Sequence, residues 1–213
     1  MSLRHFLRRR EQREIAEMQD IIVSLIYRVL DPPPILHGGT VIWRVYKSPR
    51  FSEDVDAYHV RVGDFRDALE GELNSLGMRM LKYRETANAV YIVVGDRRRV
   101  RLEFSKRPWN FRVVEAEYEQ VDGGFMLIKT LAPEHLLREK VQAYLERRKA
   151  RDLFDIYYLL NFVDVGRVRE DLRKLVGKLS EPPPDWSELR VLILRGAPPA
   201  FNTVRGKILR MLR

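Results

Sequence analysis

The chain has 213 residues, 45% of them hydrophobic, which suits a folded chain with a real core and not a disordered one. Lys and Arg number 39 against 30 acids, a formal charge of +9 that favours a polyanionic partner such as a nucleotide or nucleic acid. Cysteine is absent, excluding disulfides, thiolate metal sites and cysteine nucleophiles; with no apolar run near the ~20 residues of a membrane span, and no secretory signal in the basic stretch 1–10, a cytoplasmic location without membrane contact is expected.

Glu11–Leu30 reads as an amphipathic helix, with Ile15, Met18, Ile22, Leu25, Ile26 and Val29 at three- and four-residue steps. Asp31-Pro32-Pro33-Pro34 stops it, because proline cannot continue a helix. Ile35-Leu36-His37 leads into a glycine turn, and Val41–Tyr46 follows as a strand or, preferably, a short helix. Val55–Val62 is a strand candidate and Asp64–Leu76 a helix, with Asp64 as its N-cap and Gly77 just past its end.

Met78–Arg84, Ala89–Val94, Val100–Phe104, Phe111–Tyr118 and Phe125–Lys129 read as strands, with tight turns at Asp96-Arg97-Arg98 and Asp122-Gly123-Gly124. From Ala132-Pro133 the pattern becomes helical: Glu134–Arg148, Ala150–Phe162, Arg167–Lys178, Trp186–Leu194 and Phe201–Leu212. The fold class is therefore α+β, a mixed sheet with flanking helices over 1–131, followed by an all-α part over 132–213.

Gly38-Gly39-Thr40 and the pair Asp54 and Asp56 carry the chemistry. Glycines let backbone N–H groups approach phosphate oxygens, and the Thr40 hydroxyl is a further donor. Asp54 and Asp56, two apart on a strand, project to one side, and two such carboxylates repel unless a cation sits between them. Mg²⁺, or Mn²⁺, suits oxygen ligands combined with substrate phosphates.

Leu36-His37-Gly38-Gly39-Thr40, then Arg50-Phe51-Ser52-Glu53-Asp54-Val55-Asp56, then Lys140 and Arg151-Asp152-Leu153-Phe154-Asp155-Ile156-Tyr157-Tyr158 resemble the AbiEii-type nucleotidyltransferase family. Its members are polymerase-β-like enzymes, many of them toxins of toxin–antitoxin pairs, and the mycobacterial MenT enzymes are relatives. The resemblance implies a polymerase-β-like nucleotidyltransferase domain. Gly38, Gly39 and Thr40 match the family's phosphate-binding turn, Asp54 and Asp56 its metal pair, and Arg50 and Ser52 its Arg-x-Ser-x-Asp pattern. Lys140 matches a helix lysine facing the nucleotide, and Asp152 an essential acid that either positions Lys140 or stands near the metal. Asp155 belongs to the same pattern, or is structural, bracing Arg151 or a helix contact.

The third carboxylate usual in polymerase-β-like enzymes is best matched by Glu103, less well by Glu115 or Glu117. The expected activity is Mg²⁺-dependent transfer of NMP from an NTP to an RNA, such as a tRNA 3′ end, or to a protein hydroxyl, with an antitoxin as a further partner. The alternatives are a non-catalytic nucleotide- or RNA-binding regulator on a degenerate scaffold, and transfer to a small molecule. The basic runs Arg8-Arg9-Arg10 and Arg97-Arg98-Arg99 are either solvated or guide an RNA backbone.

Overall fold

The computed structural model describes residues 3–107 and 110–213. The chain divides into two compact units, Met1–Lys47 with Phe51–Thr130, and Ser48–Arg50 with Leu131–Arg213.

The first unit is built on a seven-stranded mixed sheet. Its strands are β1 (Ile35–His37), β2 (Val55–Tyr58), β3 (Arg79–Glu85), β4 (Ala89–Gly95), β5 (Arg99–Ser105), β6 (Val113–Glu119) and β7 (Phe125–Leu131), in the order β3-β4-β5-β2-β1-β7-β6. β3, β4 and β5 form an antiparallel meander, β5 runs parallel to β2, and β2 is antiparallel to β1. Alternation along each strand sends Val55, Ala57, Val90, Ile92, Val94, Leu102 and Phe104 to a buried face. The small Ala57 stands between Leu36 and Phe104 in register, and all three are buried.

Three helices accompany the sheet: α1 (Arg10–Val29), α2 (Gly38–Arg44) and α3 (Arg66–Ser75). α1 buries Ile15, Ile22, Leu25 and Ile26 of the expected stripe, leaves Met18 and Val29 half-buried, and buries Gln19 as well. Its Tyr27 hydroxyl donates to the Pro34 carbonyl at 2.9 Å and accepts from the Lys129 amide at 2.7 Å, tying the helix to the start of β1 and to the neighbouring β7. α2 is wholly buried and is anchored by Arg44, which donates to the Ala16 carbonyl at 2.9 Å and the Glu119 carbonyl at 3.1 Å and faces Asp20 at 3.1 Å. That anchoring fixes the segment that leaves the glycine turn.

Two expectations need correction here. β2 ends at Tyr58, not Val62, because the chain turns into a 3₁₀ segment, Val62–Phe65. Asp64 therefore lies inside that segment and does not cap α3; it pairs instead with Arg61 at 2.8 Å.

The second unit is helical: α4 (Pro133–Arg147), α5 (Ala150–Leu159), α6 (Val165–Leu175), α7 (Leu189–Leu192) and α8 (Phe201–Met211). Pro133 opens α4, where its missing N–H costs nothing. α4 packs against α5 and α6, and α8 against α5 and α6. A small apolar cluster of Ala150, Phe154 and Leu189, with Tyr158, Trp186 and Ile193 around it, joins α5 to α7. Ser48–Arg50 enters this unit as an extended segment: Arg50 bridges Ile193, and the Leu194 amide donates to the Pro49 carbonyl at 2.8 Å. Among the described residues, no helix is long and apolar enough to cross a membrane.

Candidate active site

The acid pair lies at the β1–β2–β5 junction. Asp56 is in register with His37 on one side and Glu103 on the other. One residue before β2, Asp54 stands beside Arg101 by continuation of the same register. Alternation therefore collects Asp54, Asp56, Arg101 and Glu103 on one face, opposite the buried Val55, Ala57, Leu102 and Phe104.

Gly38 shows why the turn carries glycine. Its φ is +74°, a region that costs other residues roughly 1–2 kcal/mol. A Cβ there would fall 2.1 Å from Asp56 Oδ2. The Asp56 carboxylate thus occupies the space a side chain would need, pressed against the backbone of the turn. Thr40 closes the unit from below. Its buried hydroxyl donates to the carbonyl of Asp54, and Gln19 Nε2 lies 3.5 Å from the same Thr40 oxygen and donates to the Ser52 carbonyl at 2.9 Å. The motif predicts a phosphate as the partner of the Thr40 hydroxyl; the fold instead uses its proton to hold the loop of the acid pair. Ser52 is seen here through its carbonyl, which anchors that loop.

Electrostatics follow from the crowding. Burial first, then the charges of Asp56 and Asp54, push the Glu103 carboxyl above the ordinary glutamate range. Asp54 is gripped by Arg101 in a two-pronged contact, both bonds 3.0 Å. Among the described residues no three acidic or histidine side chains stand together ready to hold an ion, and the Arg101 fork competes with any cation for the Asp54 oxygens. The donor set nevertheless fits a hard divalent ion: all-oxygen ligands, Asp56 on β2, Asp54 just before it and Glu103 on β5, against a cradle that a Cβ would fill. His37 beside it stacks on Tyr58 with centroids 4.3 Å apart, so its ring serves packing in this arrangement.

The other predicted residues lie in the helical unit and form a buried charge cluster. Asp152 and Asp155, both 0% exposed, project from α5. Arg50 forks Asp155 at 2.7 and 2.8 Å, and Arg147 forks Asp152 at 2.7 and 2.8 Å. Lys140, 8% exposed, sits between them, 3.1 Å from Asp155 and 3.7 Å from Asp152. Burial alone would raise the Asp155 carboxyl, but Arg50 and Lys140 outweigh it and hold it below the ordinary value. Arg50, expected at the nucleotide, is 3% exposed and has its guanidinium on Asp155. Asp155 accordingly braces Arg50, from the Arg50–Ser52 motif, and not Arg151.

Sequence reasoning missed Gln19 and Arg101. Gln19 was detectable as a polar residue four positions after Ile15 on an otherwise apolar stripe. Arg101 was detectable from the alternation that puts it on the Glu103 face.

Comparison with known proteins gives a family and a similar fold. The family model described as "Nucleotidyl transferase AbiEii toxin, Type IV TA system" matches residues 21–190. Among curated proteins, none matches. The fold is similar to that of JHP933 from Helicobacter pylori, with a TM-score of 0.66 at 20% identity, covering 96% of this chain and 91% of that one. A second H. pylori structure, described as a candidate nucleotidyltransferase, has a TM-score of 0.65 at 19% identity, covering 96% and 94%.

Two outcomes follow. Gly38→Ala is expected to cost roughly 1–2 kcal/mol in urea unfolding from the strained backbone and to weaken Mn²⁺ binding as Asp56 is displaced; unchanged Mn²⁺ affinity would separate Gly38 from the acid pair. Asp155→Asn leaves Arg50 poorly compensated and is expected to cost about 3–5 kcal/mol. Folded Asp155 ionises below the ordinary 3.8, so its stabilisation is present above that pH and is lost as pH falls through the lower folded value. The variant's stability should lack that acid limb; an identical pH profile would contradict the assignment.

Proposed function

The chain belongs to the AbiEii nucleotidyltransferase toxin family, and on that footing we propose that it transfers an NMP from an NTP to an RNA hydroxyl with Mg²⁺ or Mn²⁺. The observation that carries the metal assignment is the Asp56 carboxylate seated in the space over Gly38, with Asp54 on the same face and Glu103 in register.

A divalent ion on Asp54, Asp56 and Glu103 would neutralise charge at the α-phosphate and acidify the acceptor hydroxyl. Gly38 and Gly39 offer backbone N–H groups to the triphosphate with no side chain in the way. Thr40 and Gln19 position the loop that carries Asp54. Lys140, oriented by Asp152 and Asp155, is the point charge for the triphosphate. Arg50 and Asp152 are positioning residues in this scheme.

The transfer balances simply. The acceptor oxygen forms a bond to the α-phosphorus as the bond from that phosphorus to the leaving oxygen breaks, and pyrophosphate departs. The acceptor proton, made more acidic beside the ion, passes to water. Rate enhancement comes from positioning and charge stabilisation. The net positive charge supports RNA as acceptor, and the toxin family supports an antitoxin as protein partner.

Incubation of the purified chain with each labelled NTP, Mg²⁺ and total tRNA tests the reading. Labelled RNA is expected, lost on chelation with EDTA and regained with Mg²⁺ or Mn²⁺. Asp54→Asn and Asp56→Asn should each lower transfer by roughly 10³-fold or more, the scale of several kcal/mol of charge stabilisation. Full activity in either variant would remove the metal pair; Lys140→Ala with unchanged NTP affinity and turnover would remove Lys140.

A further inference from the structure

The outer half of the sheet presents an open face that the nucleotide chemistry leaves unused. Register decides which side chains share it. Arg84 pairs with Tyr91, which pairs with Glu103; Lys82 pairs with Val93, which pairs with Arg101; and Arg99 pairs with Gly95. Cross-strand partners point to the same side, so Lys82, Arg84, Tyr91, Arg99 and Arg101 stand on the face of Asp54, Asp56 and Glu103, while Val90, Ile92 and Val94 point to the core.

Lys82, Arg84 and Arg99 are exposed, and among the described residues none of the three has a carboxylate within ion-pair distance. Arg98 behaves differently. It turns to α1 and pairs with Glu11 and Glu14, both at 2.9 Å. The basic run is thus divided between a cation that secures the fold and one, Arg99, that faces solvent beside the acids. Cations on an edge strand guard against strand pairing between molecules. That accounts for Lys82 and Arg84 on β3 but not for Arg99 and Arg101 on β5, an interior strand. Among these cations Tyr91 remains 38% exposed.

Cations spaced across a surface with an aromatic ring between them match a single-stranded polynucleotide, whose phosphates meet the charges while a base stacks on the ring. Three strand spacings separate β3 from β2, about 14 Å, which suits a short extended stretch of chain ending at the acids. We propose that this face is the acceptor track: the 3′ end of a single-stranded RNA crosses β3, β4 and β5, with phosphates on Lys82, Arg84 and Arg99, a base on Tyr91, and its terminal hydroxyl delivered to Asp54 and Asp56. The track rests on the transfer reading above for its direction, not for its existence. Arg101 is the last cation on the path, so an arriving phosphate competes with Asp54 for its guanidinium and loosens the fork that opposes the metal.

The test uses the full chain and a 5′-fluorescein-labelled single-stranded RNA with a free 3′ hydroxyl. Its Kd is measured by anisotropy over a salt series, alongside NMP addition and NTP affinity. The combined variant Lys82→Gln, Arg84→Gln, Arg99→Gln should lower the slope of log Kd against log salt by about 2, at roughly 0.7 for each phosphate no longer neutralised. Tyr91→Ala should weaken RNA binding by roughly 10-fold or more, and Tyr91→Phe should restore it; NTP affinity is the internal reference. An unchanged salt slope in the triple variant, no RNA binding by the wild-type chain, or NMP appearing on protein with the RNA unlabelled would overturn the track. RNA binding that depends on these residues in a wild-type chain that transfers nothing would keep the track and defeat the transfer reading instead.

Discussion

A carboxylate occupying the place of a missing Cβ is the constraint on which the rest of the acid site depends. Asp56 Oδ2 lies 2.1 Å from where a Cβ at residue 38 would stand, and Gly38 is in a backbone region that disfavours other residues. These two facts bind the turn to the strand: the turn has its shape because it is glycine, and Asp56 has its place because the turn is bare. Thr40 then fastens the backbone of Asp54 to the same turn. Arg44, buried behind it, fixes the short helix that follows against α1 and β6. What the glycine turn and the acid pair share is therefore a packing relation.

Much of the architecture was legible because its signals were local. The Ile15–Val29 stripe, the proline stop, the alternation along β4 and β5 and the turns at Asp96 and Asp122 each specify an element from neighbouring residues alone. The helical stretch after Pro133 is equally plain. What escaped was long-range. Nothing near Asp54 in sequence announces Arg101, and nothing near Asp155 announces Arg50; these ion pairs exist because strands and helices bring distant residues together. The short β2 and the misplaced cap at Asp64 failed for a related reason, since a 3₁₀ turn there overrides a strand pattern that Val60 and Val62 would otherwise continue.

The residues singled out from the sequence divide into groups of different character. Asp54, Asp56 and Glu103 lie on a partly open sheet face where burial, and then repulsion, raise the proton affinity of Glu103. Arg50, Lys140, Arg147, Asp152 and Asp155 form a largely closed lattice in which every named charge has an opposite neighbour. In the first arrangement Arg101 is the cation on Asp54. The second is a scaffold: two buried aspartates, each clasped by an arginine, hold one lysine between them. Buried ionic clusters contribute little net stability compared with apolar packing, so the role that fits this one is to fix where the Lys140 ammonium points.

The central claim is that Asp54 and Asp56 share a divalent ion beside Gly38. Crystals grown with Mn²⁺ and a non-hydrolysable NTP analogue test it directly through anomalous scattering. The account predicts a manganese peak coordinated by carboxylate oxygens of both aspartates and by a phosphate oxygen, with Arg101 withdrawn from Asp54. A peak bound elsewhere, or a bound nucleotide with Arg101 still clasping Asp54 and no metal beside it, would contradict the account.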